Sequence, residues 1–250
     1  MNLTDGELER YARHIVLKEI GGAGQLRLKS ARVVIVGAGG VGSPAIQYCA
    51  AAGFGTLVLI DDDRVELSNL QRQTLFGTGE VGQRKVAAAR TAAARLNAEV
   101  KVEALDRRID AGTAAALLAD ADVVIDGCDN FATRLAVADA CLALRIPLVS
   151  AAVAQFEGQL AVYRGWDAGK PCYRCFVGPD PDRAGVSCAE AGVIGALAGV
   201  VGSLAALEAI RAIVPFGDDP AGKLLLIDAL AFRFRTIILP KDPGCPTCAA

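Results

Sequence analysis

Histidine is almost missing from this 250-residue chain: His14 is the only one. A core site that runs on imidazole acid–base chemistry is therefore not expected. Neither sign of charge is in excess, since 26 Lys and Arg stand against 28 Asp and Glu for a net of −2. That balance removes a basic nucleic-acid wrapper and a polybasic membrane binder from the default readings. The N-terminus, MNLTDGELERYARHI, has no apolar centre and does not read as a signal peptide. The longest uncharged apolar run, 191–207, has seventeen residues, five of them Gly or Ser, where a membrane span needs about 20. It is expected to be a buried helix or a subunit interface, in a soluble cytoplasmic protein. Aromatic residues are scarce at 5%, yet 53% of the chain is apolar, with Ala and Gly prominent. Disorder is excluded, and small residues suit close helix–sheet packing. A chain of this length buries roughly 70–75% of its unfolded surface and needs no disulfides.

The apolar pattern predicts strands at 32–36, 56–60, 100–104, 122–126 and 147–151. Between them it predicts helices at 43–52, 82–96, 111–119 and 130–144. Mostly apolar strands alternating with helices describe a parallel sheet covered on both faces. Before them, Thr4-Asp5-Gly6-Glu7 is a capping box that opens a helix over 5–17, broken by Gly21-Gly22-Ala23-Gly24 ahead of a short segment at 25–29. After 151 the alternation stops. Strands are predicted at 159–164, 223–228 and 232–239, the last alternating Phe232, Phe234 and Thr236 with Arg233 and Arg235, as a half-exposed antiparallel strand does. The fold class is thus α/β: a Rossmann-like, mostly parallel sheet with flanking helices, extended by antiparallel C-terminal strands. No repeat or linker divides the chain, so 1–250 reads as a single domain. Its Pro/Asp/Gly/Arg loop at 170–187 is long enough to be functional.

Gly37-Ala38-Gly39-Gly40-Val41-Gly42 follows a predicted strand and opens a helix. This is the nucleotide fingerprint in its required context: glycines make the turn and let backbone N–H groups approach phosphate at a helix N-terminus. Asp61, at the end of the next strand, can accept from ribose hydroxyls. These features imply an adenine nucleotide without separating NAD from ATP. Arg72 and Lys85 separate them, because two further cations suit a triphosphate and a departing pyrophosphate. Asp129, just past the fourth strand, lies on the nucleotide side and suits Mg²⁺ held between phosphate oxygens. It would otherwise cap the helix that starts at Asn130.

Eight cysteines are present. Cys49, Cys128 and Cys141 sit in or beside apolar segments and read as small buried hydrophobes. Cys172-Tyr173-Arg174-Cys175 and Cys245-Pro246-Thr247-Cys248 are two C-x-x-C knuckles, which together predict a structural Cys₄ zinc site. With 69 residues between the knuckles, the metal would staple distant parts of one fold; a redox pair is the competing reading. Cys188 is left over, placed where a helix N-terminus would favour its thiolate. Arg10, Arg13 and His14 share one helical face. For His14 a local hydrogen bond is expected, and Arg13 reads by itself as a solvated helix residue.

Taken together, RYARHI, GAGGVGS, IDDDRVELSNLQRQ, GQRKV, DGCDN, CYRC, VSCAEAGV and DPGCPTC resemble the MoeB/ThiF/HesA adenylyltransferases, bacterial relatives of the ubiquitin-activating enzymes. The look is closest to MoeB without a rhodanese domain, and it spans essentially the whole chain. The resemblance implies a homodimer that uses ATP to adenylylate the C-terminal Gly-Gly carboxylate of a ubiquitin-like sulfur-carrier protein, MoaD- or ThiS-like, for molybdopterin or thiamine biosynthesis. By position it implies an ATP site of Gly37, Gly39, Gly40, Gly42, Asp61, Asp63, Ser68, Asn69, Arg72, Lys85, Asp129 and Asn130. Asp129 becomes the Mg²⁺-linked carboxylate and Arg13 an arginine reaching the triphosphate from the partner subunit. Cys172, Cys175, Cys245 and Cys248 become the zinc ligands, and Cys188 a crossover-loop cysteine. Residues 1–29 form an N-terminal helical segment, 30–151 the nucleotide-binding half and 152–250 the carrier-binding, zinc-bearing half. Sulfur would come from a separate donor protein. The rivals are an NAD-dependent oxidoreductase, which gives Arg72 and Lys85 no task, and a zinc-stapled nucleotide-binding scaffold without turnover.

Overall fold

Runs of Val, Ile and Leu bounded by glycine turns become the central strands of the computed structural model, which describes residues 2–178 and 192–249. In chain order the elements are α1 (Asp5–Arg10), α2 (Ala12–Ile15), α3 (Gly21–Ser30), β1 (Arg32–Val36), α4 (Gly42–Ala52), β2 (Thr56–Ile60), α5 (Lys85–Leu96), β3 (Lys101–Leu105) and α6 (Ala114–Leu118). They continue with β4 (Val123–Asp126), α7 (Phe131–Leu144), β5 (Leu148–Ala154), β6 (Glu157–Tyr163), α8 (Tyr173–Val177), α9 (Gly195–Ile213), β7 (Lys223–Asp228) and β8 (Arg233–Ile238).

The eight strands form one sheet in the order β3-β2-β1-β4-β5-β6-β7-β8. β3 to β5 are parallel, and β5 to β8 pair antiparallel. Along β1, Val33 and Ile35 enter one core with Leu57, Leu59, Ile46 and Val201, while Val34 and Val36 enter a second with Val58, Val124 and Val137. The period-two alternation of the strand thus feeds two apolar layers, which is why β1 carries no polar face. The strand order reverses between β1 and β4. Two loops therefore diverge at the carboxyl ends of these neighbouring strands and leave a crevice, the place where open α/β sheets bind ligands.

Three expectations need correction. The predicted 5–17 helix is two short helices, interrupted at Tyr11, whose side chain is buried and whose hydroxyl accepts from Asn97 Nδ2 at 2.8 Å. The glycines at 21–24 lie inside α3 rather than breaking it. Gly24 is there for close approach, because a Cβ would lie 2.9 Å from Val214 Cγ1. β8 is exposed along nearly its whole length instead of on one face. The apolar run at 191–207 lies largely in α9, which by length and composition alone could cross a membrane. Here it packs against α4, β5 and β6, with Leu197, Ala198, Val201, Ala205 and Ala209 buried.

Candidate active site

The glycine turn is built from two constraints on backbone space. Gly37 has φ of 88°, a conformation that only glycine adopts freely. A Cβ on Gly42 would fall 1.9 Å from the Gly37 carbonyl oxygen, so α4 can start directly beneath the turn only with glycine there. Asp61 braces the structure from β2: its Oδ2 accepts from Ala38 N and its Oδ1 from Asp63 N, each at 2.8 Å. Burial pushes the Asp61 carboxyl upward against the opposing charge of Lys85.

A cavity of about 260 Å³ opens above this turn, and Gly37, Gly39, Gly40, Asp61, Asp63, Arg72, Lys85, Asp129 and Asn130 all line it. Lys85 is 5% exposed and its Nζ lies 2.8 Å from Asp63 Oδ2. Arg72 Nη1 donates to the Ser68 carbonyl at 3.1 Å. Its aliphatic stem runs beside Gly40, where a Cβ would come within 3.4 Å of Arg72 Cγ. Asn130, not Asp129, caps α7, its Oδ1 accepting from Thr133 N at 2.9 Å. Asp129 is left exposed on the cavity wall, with no hydrogen bond or ion pair to any described residue. Two cations and an uncommitted carboxylate thus face a turn of backbone N–H groups, a donor set that fits a polyphosphate with a hard divalent cation.

Arg134, on the second turn of α7, holds the Asp129 loop from behind. It donates to the carbonyls of Cys128 and of Ala151, the latter at 2.8 Å, and reaches Ser150 Oγ and Asp126 Oδ2 at 3.4 Å each. Asp126 is 1% exposed; its Oδ1 also accepts from Cys128 N at 3.1 Å and from the Cys128 thiol at 2.7 Å. Burial first, then the Asp126 charge, pushes the Cys128 thiol well up, so it serves as a neutral donor rather than a nucleophile.

A second cavity, of about 430 Å³, shares Asp129, Arg134, Ala152 and Val153 with the first and runs over β6 and β7 to Arg233 and Arg235 on β8. Beyond it, β8 and the turn before it expose Leu230, Phe232, Phe234 and Ile238.

The four knuckle cysteines converge, with all Sγ atoms within 4.8 Å of one another. Cys172 and Cys175 are 3.8 Å apart, Cys172 and Cys245 3.7 Å, and Cys175 and Cys248 3.4 Å. Four sulfurs at about 2.3 Å from a tetrahedral zinc lie about 3.8 Å apart, so the cluster fits that ion. Burial raises the Cys245 thiol, but hydrogen bonds from the N–H groups of Thr247 and Cys248 and with the Cys172 and Cys248 thiols together bring the group down to about 7.

Other expected site residues stand elsewhere. Ser68 is exposed and Asn69 buried, and neither side chain is on the cavity wall. Their contribution is backbone: the Asn69 carbonyl accepts from the N–H groups of Arg72 and Gln73, fixing the turn that aims Arg72. Arg13 is exposed on α2, away from the cavity wall of its own chain. Cys188 lies outside the described residues. His14 Nδ1 donates to Gln25 Oε1 at 3.1 Å, while Gln25 Nε2 donates to the Ala52 carbonyl; this is the expected local bond. Sequence reasoning missed Gln73, Arg107, Arg108 and Arg134, all on the cavity wall. An Arg four residues into a mostly apolar helix, FATRLAVADACLAL, was the available signal for the last.

The ThiF family model matches residues 11–247. A sulfur carrier protein adenylyltransferase of Thermus thermophilus is 47% identical over 253 residues, covering 99% of this chain and 93% of that protein. A molybdopterin-synthase adenylyltransferase of Escherichia coli is 44% identical, covering 98% of each. Among solved structures, that of PaaA superposes with a TM-score of 0.81 at 26% identity, covering 96% of this chain and 76% of that one.

Proposed function

The chain belongs to the ThiF family, and from that premise we propose how its two joined cavities carry out the activation of a ubiquitin-like sulfur carrier. The protein is an ATP-dependent adenylyltransferase. It activates the carrier's C-terminal Gly-Gly carboxylate as an acyl-AMP and releases pyrophosphate, in molybdopterin or thiamine biosynthesis. The shared wall of the two cavities is the observation that carries the mechanism. ATP occupies the cavity above the glycine turn, the carrier tail lies extended in the second cavity, and the two meet beside Asp129.

The carrier carboxylate attacks the α-phosphorus, a P–O bond forms to the acyl oxygen, and the bond to the bridging oxygen of pyrophosphate breaks with its electrons leaving on pyrophosphate. A carboxylate is already a nucleophile, so no base is required, in keeping with a cavity wall that has no histidine. Catalysis is left to positioned charge. Arg72 and Lys85 stabilise the negative charge that grows on the departing group. Asp129 would hold Mg²⁺, which when bound neutralises charge along the phosphate chain.

The finer assignments rest on the same geometry. α9 exposes Val200 and Leu207, seven residues apart and so on one face, and Tyr48 of α4 is exposed as well. These faces support a homodimer in which Arg13 would serve the site of the partner. Zinc in the Cys₄ cluster would anchor the C-terminal segment to α8. Strand β8, unpaired on its outer side among the described residues and carrying the exposed side chains of Phe234 and Ile238, supports docking of the carrier by strand addition. The setting is cytoplasmic, with sulfur delivered by a separate donor.

The test is carrier-dependent ATP–pyrophosphate exchange, with mass spectrometry of the carrier for added AMP. Asp129→Ala and Arg72→Ala are expected to abolish exchange while leaving the protein folded. Wild-type exchange in either variant would refute the role of that residue, and no AMP adduct on any Gly-Gly carrier would refute the reaction.

A further inference from the structure

We infer that the first C-x-x-C knuckle is a clamp on α7, and that Tyr173 and Arg174, the two residues between its cysteines, are positioning residues for the Asp129 loop at the head of that helix. This rests on the reading of Asp129 as the carboxylate that holds Mg²⁺. A tetrahedral sulfur site needs only the cysteines, so the residues between them are free to serve something else. Here both reach α7. The Tyr173 side chain is buried. Its ring lies 6.4 Å from that of Phe131 and stands edge-on to Tyr163 at 5.4 Å, spacings at which aromatic pairs attract. Phe131 is the first residue of α7, just past Asp129 and Asn130. Tyr173 also lines a void of about 10 Å³ with Arg134 and Ser150, so it backs the guanidinium that holds the Cys128 and Ala151 carbonyls.

Arg174 supplies the second grip. It forks the Asp139 carboxylate, Nε donating to Oδ1 at 2.9 Å and Nη2 to Oδ2 at 2.7 Å. Asp139 stands about 12 Å along the helix from Phe131 at a rise of about 1.5 Å per residue. The knuckle thus holds α7 at two levels, and a bidentate fork fixes angle as well as distance. One contact would let the helix pivot, and two do not. Core packing accounts for a buried aromatic, but not for the next residue forking the same helix. Asp129 itself makes no hydrogen bond or ion pair to any described residue, so its place is set by the backbone of its loop. That loop is tied to α7 by the Asn130 cap and by Arg134. Zinc in the Cys₄ cluster would fix the knuckle to the C-terminal segment and give α7 a rigid support.

Calorimetric titration of the full-length, zinc-loaded protein with α,β-methylene ATP, once with Mg²⁺ and once with neither Mg²⁺ nor a chelator, tests the inference without turnover. The quantity read is the gain in affinity that Mg²⁺ gives. Tyr173→Leu is expected to cut that gain about tenfold, the low end of what groups that orient a metal ligand contribute, and to leave binding without Mg²⁺ within about twofold of wild type. Tyr173→Phe keeps the ring and is expected to restore the gain. Arg174→Gln, which loses the fork, should cut it about threefold. A folded, zinc-bearing Tyr173→Leu protein with the wild-type gain, or one that weakens equally with and without Mg²⁺, overturns the clamp. Should that variant not fold, Arg174→Gln decides alone, and an unchanged gain overturns the clamp just as well. If Asp129→Ala keeps the wild-type gain, the reading of Asp129 fails instead.

Discussion

Arg134→Met removes the one cation among the described residues that sits on the buried Asp126 carboxylate. Its side chain is 11% exposed against 1% for Asp126, so neither partner can recover the interaction through water. Breaking a buried pair by deleting one member leaves an uncompensated charge and typically costs about 3–5 kcal/mol. Asp126 keeps two donors from Cys128, which pulls the expectation to the lower end of that range. The carbonyls of Cys128 and Ala151 lose a donor as well, which pulls it back up. With a urea m-value of at most about 3 kcal/mol/M, the unfolding midpoint should fall by about 1 M or more. Asp126→Asn with Arg134→Met removes charge and countercharge together and is expected to be more stable than Arg134→Met alone, a coupling that a double-mutant cycle reads directly. Arg134→Lys, which keeps the charge and loses the fork, should recover part of the loss. A loss below about 1 kcal/mol for Arg134→Met, or a double variant no more stable than the single one, would refute the claim that this cluster holds the Asp129 loop in place.

Other expectations follow from the remaining clusters. Purified protein should contain one zinc ion per chain by mass spectrometry, and Cys248→Ser should lose it together with several degrees of melting temperature; a metal-free wild type of equal stability would refute a structural role. Glu103 is held down at about 2, first by the hydrogen bond from Arg32 and then by Lys101, against an ordinary glutamate value of 4.5. A carboxyl lowered on folding adds stability that is present above 4.5 and is lost as pH falls toward 2. Glu103→Gln should therefore flatten the stability–pH curve within that window and leave its shape above pH 5 unchanged. An unaltered acid limb would show that the Arg32–Glu103 pair contributes nothing there.

Some of this was legible in sequence for physical reasons that can be named. β1, β2 and β7 match their predicted limits because each is an apolar run closed by a residue that cannot continue it, Gly37 and Asp61 being the plainest. The glycine turn was legible because its constraints are local, one positive φ and one close crossing. The glycines of α3 misled because Gly24 answers to Val214, 190 positions away, and no local rule sees that contact. Arg134 was hidden for the same reason. Its partners are carbonyls of Cys128 and Ala151, and which carbonyls a buried guanidinium meets depends on how two parallel strands register. Ser68 and Asn69 show the reverse case. The sequence puts them in the segment that leads to Arg72, but neither side chain lines the cavity, and their visible contribution is through backbone oxygens that any residue there would present.

The change of strand direction explains why the two cavities share a wall. In the parallel half, β1 and β4 stop at the crevice, and their loops turn away into helices on opposite faces. β5 is the last parallel strand, but its other neighbour, β6, returns antiparallel by a tight turn. It therefore has no helix to feed and can run on. Its seven residues extend past the four of β4, and its burial falls away over Ala152, Val153 and Ala154. That overhang forms the boundary between the two cavities. Arg134 fixes it through the Ala151 carbonyl with the same guanidinium that fixes the Asp129 loop through Cys128. In the proposed reaction the α-phosphate and the incoming carboxylate would meet against this single junction. In a reaction that needs no proton transfer, the alignment held by that junction is the main thing left for the protein to supply.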